Sequence, residues 1–167
     1  GGVKHGQWEN SVVVGGSGGF ATASAAGVLA GTSCHASGDN SAVVAGNTNI
    51  VDGANSAVVV GSTNQVAAGA STSAVLAGSS NVVTSTGATA NAAVVAGLSN
   101  QVGGTASQAV IAGGSFNQIS GAAPNSFIGG GGGTNSGNSN RVSNSNSGIL
   151  VGTNNTVSGT RAAVVCG

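Results

Sequence analysis

The residue types that bind metals or transfer protons are few in this chain, and their spacing does not assemble a site. Cys34 and His35 are adjacent, so their side chains would point to opposite faces of a strand and could not share a metal ion. Glu9, Asp39 and Asp52 are isolated acidic residues, whereas general acid–base hydrolysis requires a pair of carboxylates. We therefore expect no catalytic residue, no cofactor and no metal site, and we do not expect an enzyme.

Asparagine is the hydrogen-bonding residue that recurs at a fixed phase. It follows a glycine by three residues or close to three in seven consecutive repeats. Amides stacked at the strand spacing of about 4.8 Å can donate and accept hydrogen bonds along a column. The sequence therefore predicts an internal asparagine ladder, which fades toward the N-terminus because Gly19 and Cys34 hold the same position in the first two repeats. The predicted members are Asn49, Asn64, Asn81, Asn100, Asn117, Asn140 and Asn155.

The elements that must position this ladder are short strands in a repeated coil. A motif of small and aliphatic residues recurs ten times and closes on a glycine, at intervals of 15 to 22 residues. A period of this length with insertions is typical of stacked coils, in which no repeat buries its apolar face alone. We predict an all-β parallel β-solenoid, or β-roll, of about ten coils over residues 11–167, preceded by an N-terminal cap or junction over 1–10. The closing glycines are assigned to Gly16, Gly31, Gly46, Gly61, Gly78, Gly97, Gly113, Gly130, Gly152 and Gly167.

Each repeat carries two adjacent aliphatic or aromatic residues shortly before its glycine. Neighbouring side chains of a strand point to opposite faces, so one member of each pair should lie inside the coil and the other outside it. The outer members would form an apolar stripe more than 40 Å long, which a soluble monomer rarely exposes. We expect the stripe to be an oligomer interface. The pairs include Val43 and Val44, Val58 and Val59, Val75 and Leu76, Val94 and Val95, Val110 and Ile111, Phe127 and Ile128, and Ile149 and Leu150.

Composition excludes two classes of partner. Only 4% of the residues are charged, three basic and three acidic, so electrostatic binding to nucleic acid has no residues to act through. No apolar run approaches the roughly 20 residues needed to cross a bilayer, and we expect no membrane insertion. Cys34 and Cys166 would lie about 38 Å apart along a straight solenoid, too far for a disulfide bond within one chain.

The repeat grammar resembles a known family. The runs NSVVVGG at 10–16, NSAVVVG at 55–61 and NTVSG at 155–159 resemble the YadA-like head repeats of trimeric autotransporter adhesins, and still more the related repeats of phage and giant-virus fibre proteins. The resemblance covers nearly the whole chain. It implies a homotrimer of left-handed parallel β-rolls that is extracellular or displayed on a virion surface and serves attachment. The doubled valine and the irregular period depart from the adhesin pattern.

Extra residues fall at the corners of the predicted coils. Loops rich in hydroxyls and amides could bind a surface glycan or a receptor through directional hydrogen bonds, although tolerated surface loops of no function have the same composition. The candidate ligand residues are Thr84, Ser85, Thr86, Thr134, Asn135 and Asn138.

Three functions remain open on the sequence alone. The first is a structural and adhesive fibre segment, a rigid oligomeric rod on a virion or cell surface. The second is an extracellular filament whose subunits stack head to tail through open coil ends, since the coil that Gly167 closes should pair with an end-to-end subunit or an adjoining fibre domain. The third is an ice-binding solenoid. It is disfavoured because such solenoids present regular rows of threonine, and the corner residues here form no such row. Lys4, His5, Trp8 and Glu9 are assigned to the cap.

Overall fold

The described residues form a parallel β-solenoid built from twenty short strands. The computed structural model describes residues 5–6, 9–86 and 90–167, the first pair as backbone only. The strands are β1 (His5–Gly6), β2 (Val12–Val13), β3 (Phe20–Ala21), β4 (Gly27–Val28), β5 (His35–Ala36), β6 (Ala42–Val43), β7 (Ile50–Val51), β8 (Ala57–Val58), β9 (Gln65–Val66), β10 (Ala74–Val75), β11 (Val82–Val83), β12 (Ala93–Val94), β13 (Gln101–Val102), β14 (Val110–Ile111), β15 (Gln118–Ala122), β16 (Phe127–Ile128), β17 (Arg141–Asn144), β18 (Gly148–Val151), β19 (Thr156–Val157) and β20 (Ala163–Cys166).

The strands alternate between two ten-stranded parallel sheets. The odd-numbered strands form sheet A and the even-numbered strands form sheet B. The chain alternates between the two sheets and makes about nine turns around the axis. A third column of single parallel bridges runs from Ser17 to Gly132 along a corner between the sheets. A single 3₁₀ turn, Ser136–Asn138, is the helical element of the described residues, where no helix is long and apolar enough to cross a membrane. The predicted solenoid is confirmed, with about nine turns rather than ten.

The core is one side chain deep and comes from both sheets. Each two-residue strand of the middle coils points one residue inward, and these inner residues are completely buried, as in Val43 of sheet B and Val51 of sheet A. A strand this short can bury no more, because its other side chain faces outward. The remaining interior is filled by the buried asparagines, by alanines such as Ala70, and by serines such as Ser56 and Ser73.

Two closing glycines were assigned one residue too early. Strand register aligns Val110 and Ile111 with Ala93 and Val94, which makes Gly114 the equivalent of Gly97. In the same way Gly131, not Gly130, closes the next coil. We call the residues at this position corner glycines: Gly16, Gly31, Gly46, Gly61, Gly78, Gly97, Gly114, Gly131, Gly152 and Gly167.

The physical reason for the correct register is the backbone of the corner. Gly114 has φ +88°, and a Cβ there would overlap the carbonyl oxygen of Gly131 and lie 2.7 Å from Asn117 Nδ2. Gly113 has open space around it and no positive φ. Only glycine tolerates the first position, whereas the second accepts alanine, as in Ala96 of the preceding coil.

A second left-handed residue follows the corner glycines by two positions in every described coil except those of Gly131 and Gly167. It is a small polar residue in most coils, for example Thr48, Thr63 and Ser80, whose φ lies near +55°. Asn, Ser and Thr have short side chains that bond locally and fit such corners. Phe116 holds this position in the coil of Gly114, with φ +57°, and is the one aromatic residue in the column among the described coils.

The N-terminal segment adds a strand to the solenoid. His5–Gly6 pairs in parallel with β3, and the carbonyl of Glu9 accepts a hydrogen bond from Ala25 N at 3.0 Å. Lys4 and Trp8, which the sequence assigned to a cap, lie outside the described residues. Residues 5–6 therefore extend sheet A by one strand.

Candidate functional site

The asparagine ladder is present and is continuous through five coils. Asn81, completely buried, donates its backbone N–H to Asn64 Oδ1 at 3.0 Å and its Nδ2 to the same oxygen at 3.2 Å. Its Nδ2 also donates to the carbonyl of Gly97, the corner glycine of the next coil, at 2.9 Å. Its own Oδ1 accepts both corresponding bonds from Asn100. Each amide therefore joins three consecutive coils.

Both ends of the ladder depart from this pattern. Toward the N-terminus, the thiol of buried Cys34 donates to the carbonyl of Gly46 at 3.5 Å, which is the bond that Asn49 makes to Gly61 in the next coil. Toward the C-terminus, Asn140 and Asn155 continue the ladder, with a backbone hydrogen bond of 3.1 Å.

The ladder is interrupted between Asn117 and Asn140. The residues 132–139 are inserted at this point, and Asn117 Oδ1 is buried without a hydrogen-bond partner among the described residues. Asn117 is otherwise held like its neighbours, because its backbone N–H donates to Asn100 Oδ1 at 3.0 Å. The insertion thus removes one acceptor from the network and leaves it desolvated.

The interruption predicts unequal costs for the same substitution. Asn81→Ala removes the amide bonds on both sides and leaves the backbone N–H of Asn100 unpaired, for a loss of about 2–4 kcal/mol in the free energy of unfolding. Asn117→Ala removes no acceptor bond, so we expect it to cost about 1–2 kcal/mol less. Denaturant unfolding followed by circular dichroism measures both. Equal losses would contradict the assignment of Asn117 Oδ1 as unpaired.

A second ladder, of serines, was not predicted. It lies at the entrance to sheet B, where Ser73 N donates to Ser56 Oγ at 3.0 Å and Ala92 N donates to Ser73 Oγ at 3.1 Å. Ser56 Oγ donates in turn to the carbonyl of Ala70 at 3.0 Å. The signal in the sequence was a serine two residues before the inner valine or isoleucine, but Ala92 and Ala109 hold this position in two consecutive coils and divide the ladder in two. The hydrogen-bonded members are Ser56 and Ser73 in one part and Ser126 and Ser147 in the other, while the Oγ atom of buried Ser41 has no partner among the described residues.

The outer face of sheet B is an uninterrupted apolar surface. Two columns of side chains point outward along it, one on each side of the inner residue, and all are Val, Leu, Ala, Gly or Phe in the described coils. We call this surface the sheet B face. Its most exposed large side chains are 37% to 66% exposed, and they are Val12, Val14, Leu29, Val44, Val59, Leu76, Val95, Phe127, Leu150 and Val165.

The large side chain of a coil stands in one or the other of the two columns of the sheet B face. Val59 and Leu76 stand after the inner residue with alanine before it, whereas Phe127 stands before the inner residue with Gly129 after it. The Phe127 ring fills the space over that glycine, since a Cβ on Gly129 would lie 3.2 Å from Phe127 Cε1. Each coil after the first therefore presents one large apolar side chain and one small residue, whereas the first presents both Val12 and Val14.

The two predicted ligand loops lie at different corners and do not form one site. Ser85 is completely buried, and Thr86 N donates to the carbonyl of Gly104, in the next coil along the chain, at 2.7 Å. The segment that begins at Thr84 therefore continues the hydrogen bonding between the two coils. In the other loop, Asn135 Oδ1 accepts from Gly137 N at 2.9 Å, and Asn138 Oδ1 accepts from Asn135 N at 3.1 Å.

These bonds show that the loop amides fold the loop itself. Asn138 Nδ2 contacts Thr134 Oγ1 at 3.5 Å, so all three predicted residues of this loop bond to one another. Ser136 and Ser139, which the sequence did not single out, face the outer edge of sheet A instead.

The remaining reactive side chains are dispersed. Cys34 is a buried free thiol, and Cys166 is an exposed one on β20. His35 contacts Thr22 Oγ1 at 3.2 Å, and Ser37 Oγ donates to Asp52 Oδ1. Within the described ranges, no three His, Cys, Asp or Glu side chains cluster as metal ligands.

Comparison with known proteins gave no assignment. A scan against protein-family models returned no match, and a search of curated proteins returned none either.

Proposed function

We propose that the chain is a structural and adhesive fibre segment, a rigid oligomeric rod on a virion or cell surface. The observation that carries the proposal is the sheet B face, an apolar surface that continues over the described length of the rod. Largest apolar patches on soluble monomers rarely exceed a few hundred Å² and commonly mark interaction sites. Covering the exposed half of one Val or Leu contributes on the order of 1 kcal/mol, and this face has one such residue in most coils.

The occupant we propose is further copies of the same chain, three in all, with left-handed coils. Copies aligned along the axis have faces of equal length and equal composition, so each covers the other completely. Three faces turned toward a common axis form a closed assembly that leaves none of them wet. The resemblance to trimeric adhesin heads supports three copies and an extracellular or virion location.

The hydrogen bonds between successive coils suit a rigid rod. The backbone of each coil bonds to the next through sheets A and B, and the buried amide and serine ladders add a bond between coils away from the strands. These bonds do not depend on ion pairs, so salt has little to screen. The interior is fixed by directional contacts rather than by a thick core.

Mass as a function of concentration tests the proposal. Light scattering of purified protein should give three times the 15.3 kDa of one chain over a wide concentration range, and electron microscopy should show short rods of uniform length. A mass that rises with concentration would favour the head-to-tail filament. A stable single-chain mass would contradict both.

A further inference from the structure

A small cleft lies where the inserted loop 132–139 meets the outer edge of sheet A. Its volume is about 100 Å³, and it belongs to the corner of the rod that carries the second left-handed column, not to the sheet B face. The lining residues are Ser99, Gln101, Phe116, Asn117, Gln118, Ser136, Ser139 and Arg141. A single aromatic ring, amides, hydroxyls and one cation therefore converge on a space smaller than the roughly 300 Å³ of a drug-sized pocket.

Phe116 occupies a conformation that its residue type disfavours. Its φ of +57° is left-handed, and the equivalent residues of the two preceding coils are Ser80 and Ser99. A bulky residue in this region is an outlier whose cost, of order 1 kcal/mol or more, must be offset by the surroundings. Its ring is half-buried and lines the cleft. Because serine suffices at the same position of the preceding coils, the packing of the solenoid does not require an aromatic residue here.

Three long polar side chains are aligned in a row beside this ring. Arg141 Nη2 donates to Gln118 Oε1 at 2.6 Å, and Gln118 Nε2 donates to Gln101 Oε1 at 2.8 Å. The row orients the guanidinium while using one of its five N–H donors. The acidic residues of the chain, Glu9, Asp39 and Asp52, belong to the N-terminal coils, far along the rod from Arg141.

The cleft also contains an unpaired buried acceptor. Asn117 is completely buried, is one of the lining residues, and has an Oδ1 atom without a partner in the described part of the chain. A desolvated carbonyl of this kind costs about 1–3 kcal/mol until a donor reaches it. Because this atom is closed off from solvent, a ligand in the cleft is bound by the exposed side chains of the lining and not by Asn117 Oδ1.

We propose that this cleft binds a sugar residue that carries a carboxylate. The Arg141 guanidinium pairs with the carboxylate, the Phe116 ring packs against the apolar face of the sugar, and Ser99 and Ser136 bond to its hydroxyls. This inference rests on the proposed adhesive function, and it names the class of ligand to which the rod would attach.

The chemistry of the lining selects this ligand over other anions. A guanidinium matches a planar carboxylate with two parallel hydrogen bonds. One cation does not support a polyanion such as nucleic acid, which needs many phosphate contacts. The accessible hydroxyls of Ser99 and Ser136 and the amides of Gln101 and Gln118 suit a ligand with several hydroxyls better than an acidic peptide side chain, which offers a carboxylate alone.

Saturation-transfer NMR and calorimetry on the full chain test the site. The acidic probes are 3′-sialyllactose and a hyaluronan tetrasaccharide, and the neutral probes are lactose and cellotetraose. We expect binding of at least one acidic probe and about ten-fold weaker binding or none for its neutral counterpart. Arg141→Gln should lower the affinity for the acidic probe about ten-fold. Phe116→Ser, which restores the residue of the neighbouring coils, should abolish binding without unfolding the rod.

Arg161→Gln is the matched control, since it removes an exposed arginine outside the cleft and should leave affinity unchanged. Absence of binding to both acidic probes, equal loss in Arg141→Gln and Arg161→Gln, or equal binding of a glutamate-rich peptide would overturn the proposal. Light scattering of the same samples separates this result from the oligomeric rod. A trimer that binds no sugar would refute the cleft alone, and a monomer that binds would refute the rod alone.

Discussion

Replacing Val59 with aspartate is expected to dissociate the proposed oligomer into folded single chains. Val59 is 39% exposed on the sheet B face, and its side chain contributes nothing to the interior of its coil. In an assembly that covers this face, the substitution buries an unpaired carboxylate in every copy. Each such charge costs several kcal/mol, more than one contact contributes. Light scattering should report the mass of one chain, and circular dichroism should report unchanged strand content.

Thr63→Asp is the matched control for this experiment. Thr63 lies in the same coil, is exposed, and has a left-handed conformation that aspartate tolerates, but it points away from the sheet B face. We expect it to leave the mass unchanged. Retention of the oligomer by Val59→Asp would place the interface elsewhere on the rod.

Gly114→Ala is expected to destabilise the fold by roughly 4–6 kcal/mol, and the same change one residue earlier is expected to be harmless. At Gly114 the added Cβ meets the carbonyl oxygen of Gly131 and Asn117 Nδ2, and its positive φ adds backbone strain. At Gly113 the Cβ meets nothing within 4 Å, so Gly113→Ala should change stability by less than about 0.5 kcal/mol. Thermal and denaturant unfolding of the pair measure the difference.

This pair of variants also tests the strand register. If Gly113→Ala were the damaging change, the corner would lie one residue earlier, as the sequence alone suggested. Val110, rather than Ile111, would then be the inner residue of its coil. Both variants replace glycine with alanine at neighbouring positions, so a difference in their stability reports the position of the corner alone.

Periodicity was sufficient to predict the solenoid and the asparagine ladder. An inner valine and a buried amide recur at fixed phase because every coil repeats one environment, and such repetition is visible in a single sequence. The register failed at Gly113 and Gly130, where consecutive glycines give the pattern two equivalent solutions. Only the overlap of a Cβ with the next coil distinguishes them, and that contact is between residues distant in sequence.

The cleft could not be predicted for a different reason. The repeat aligns Arg141 with Gln118, two residues after Phe116, but it does not predict that the serines of the inserted loop join these residues around one cleft. Their approach depends on how residues 132–139 fold back over the corner, which the Asn135 and Asn138 bonds determine. The sequence drew attention to the amides that hold this loop, whereas the residues facing the cleft are its serines and the neighbouring strand ends.

The interruption at Asn117 has a mechanical consequence for a rod. Between the coils of Gly114 and Gly131 the column of amides is broken, and the column of corner bridges ends at Gly132. The amide column is thus broken at one level and the corner bridges are absent from the next, while both sheets continue past them. Under tension along the axis, the rod would yield first at these two levels and behave as a longer N-terminal block joined to a shorter C-terminal one.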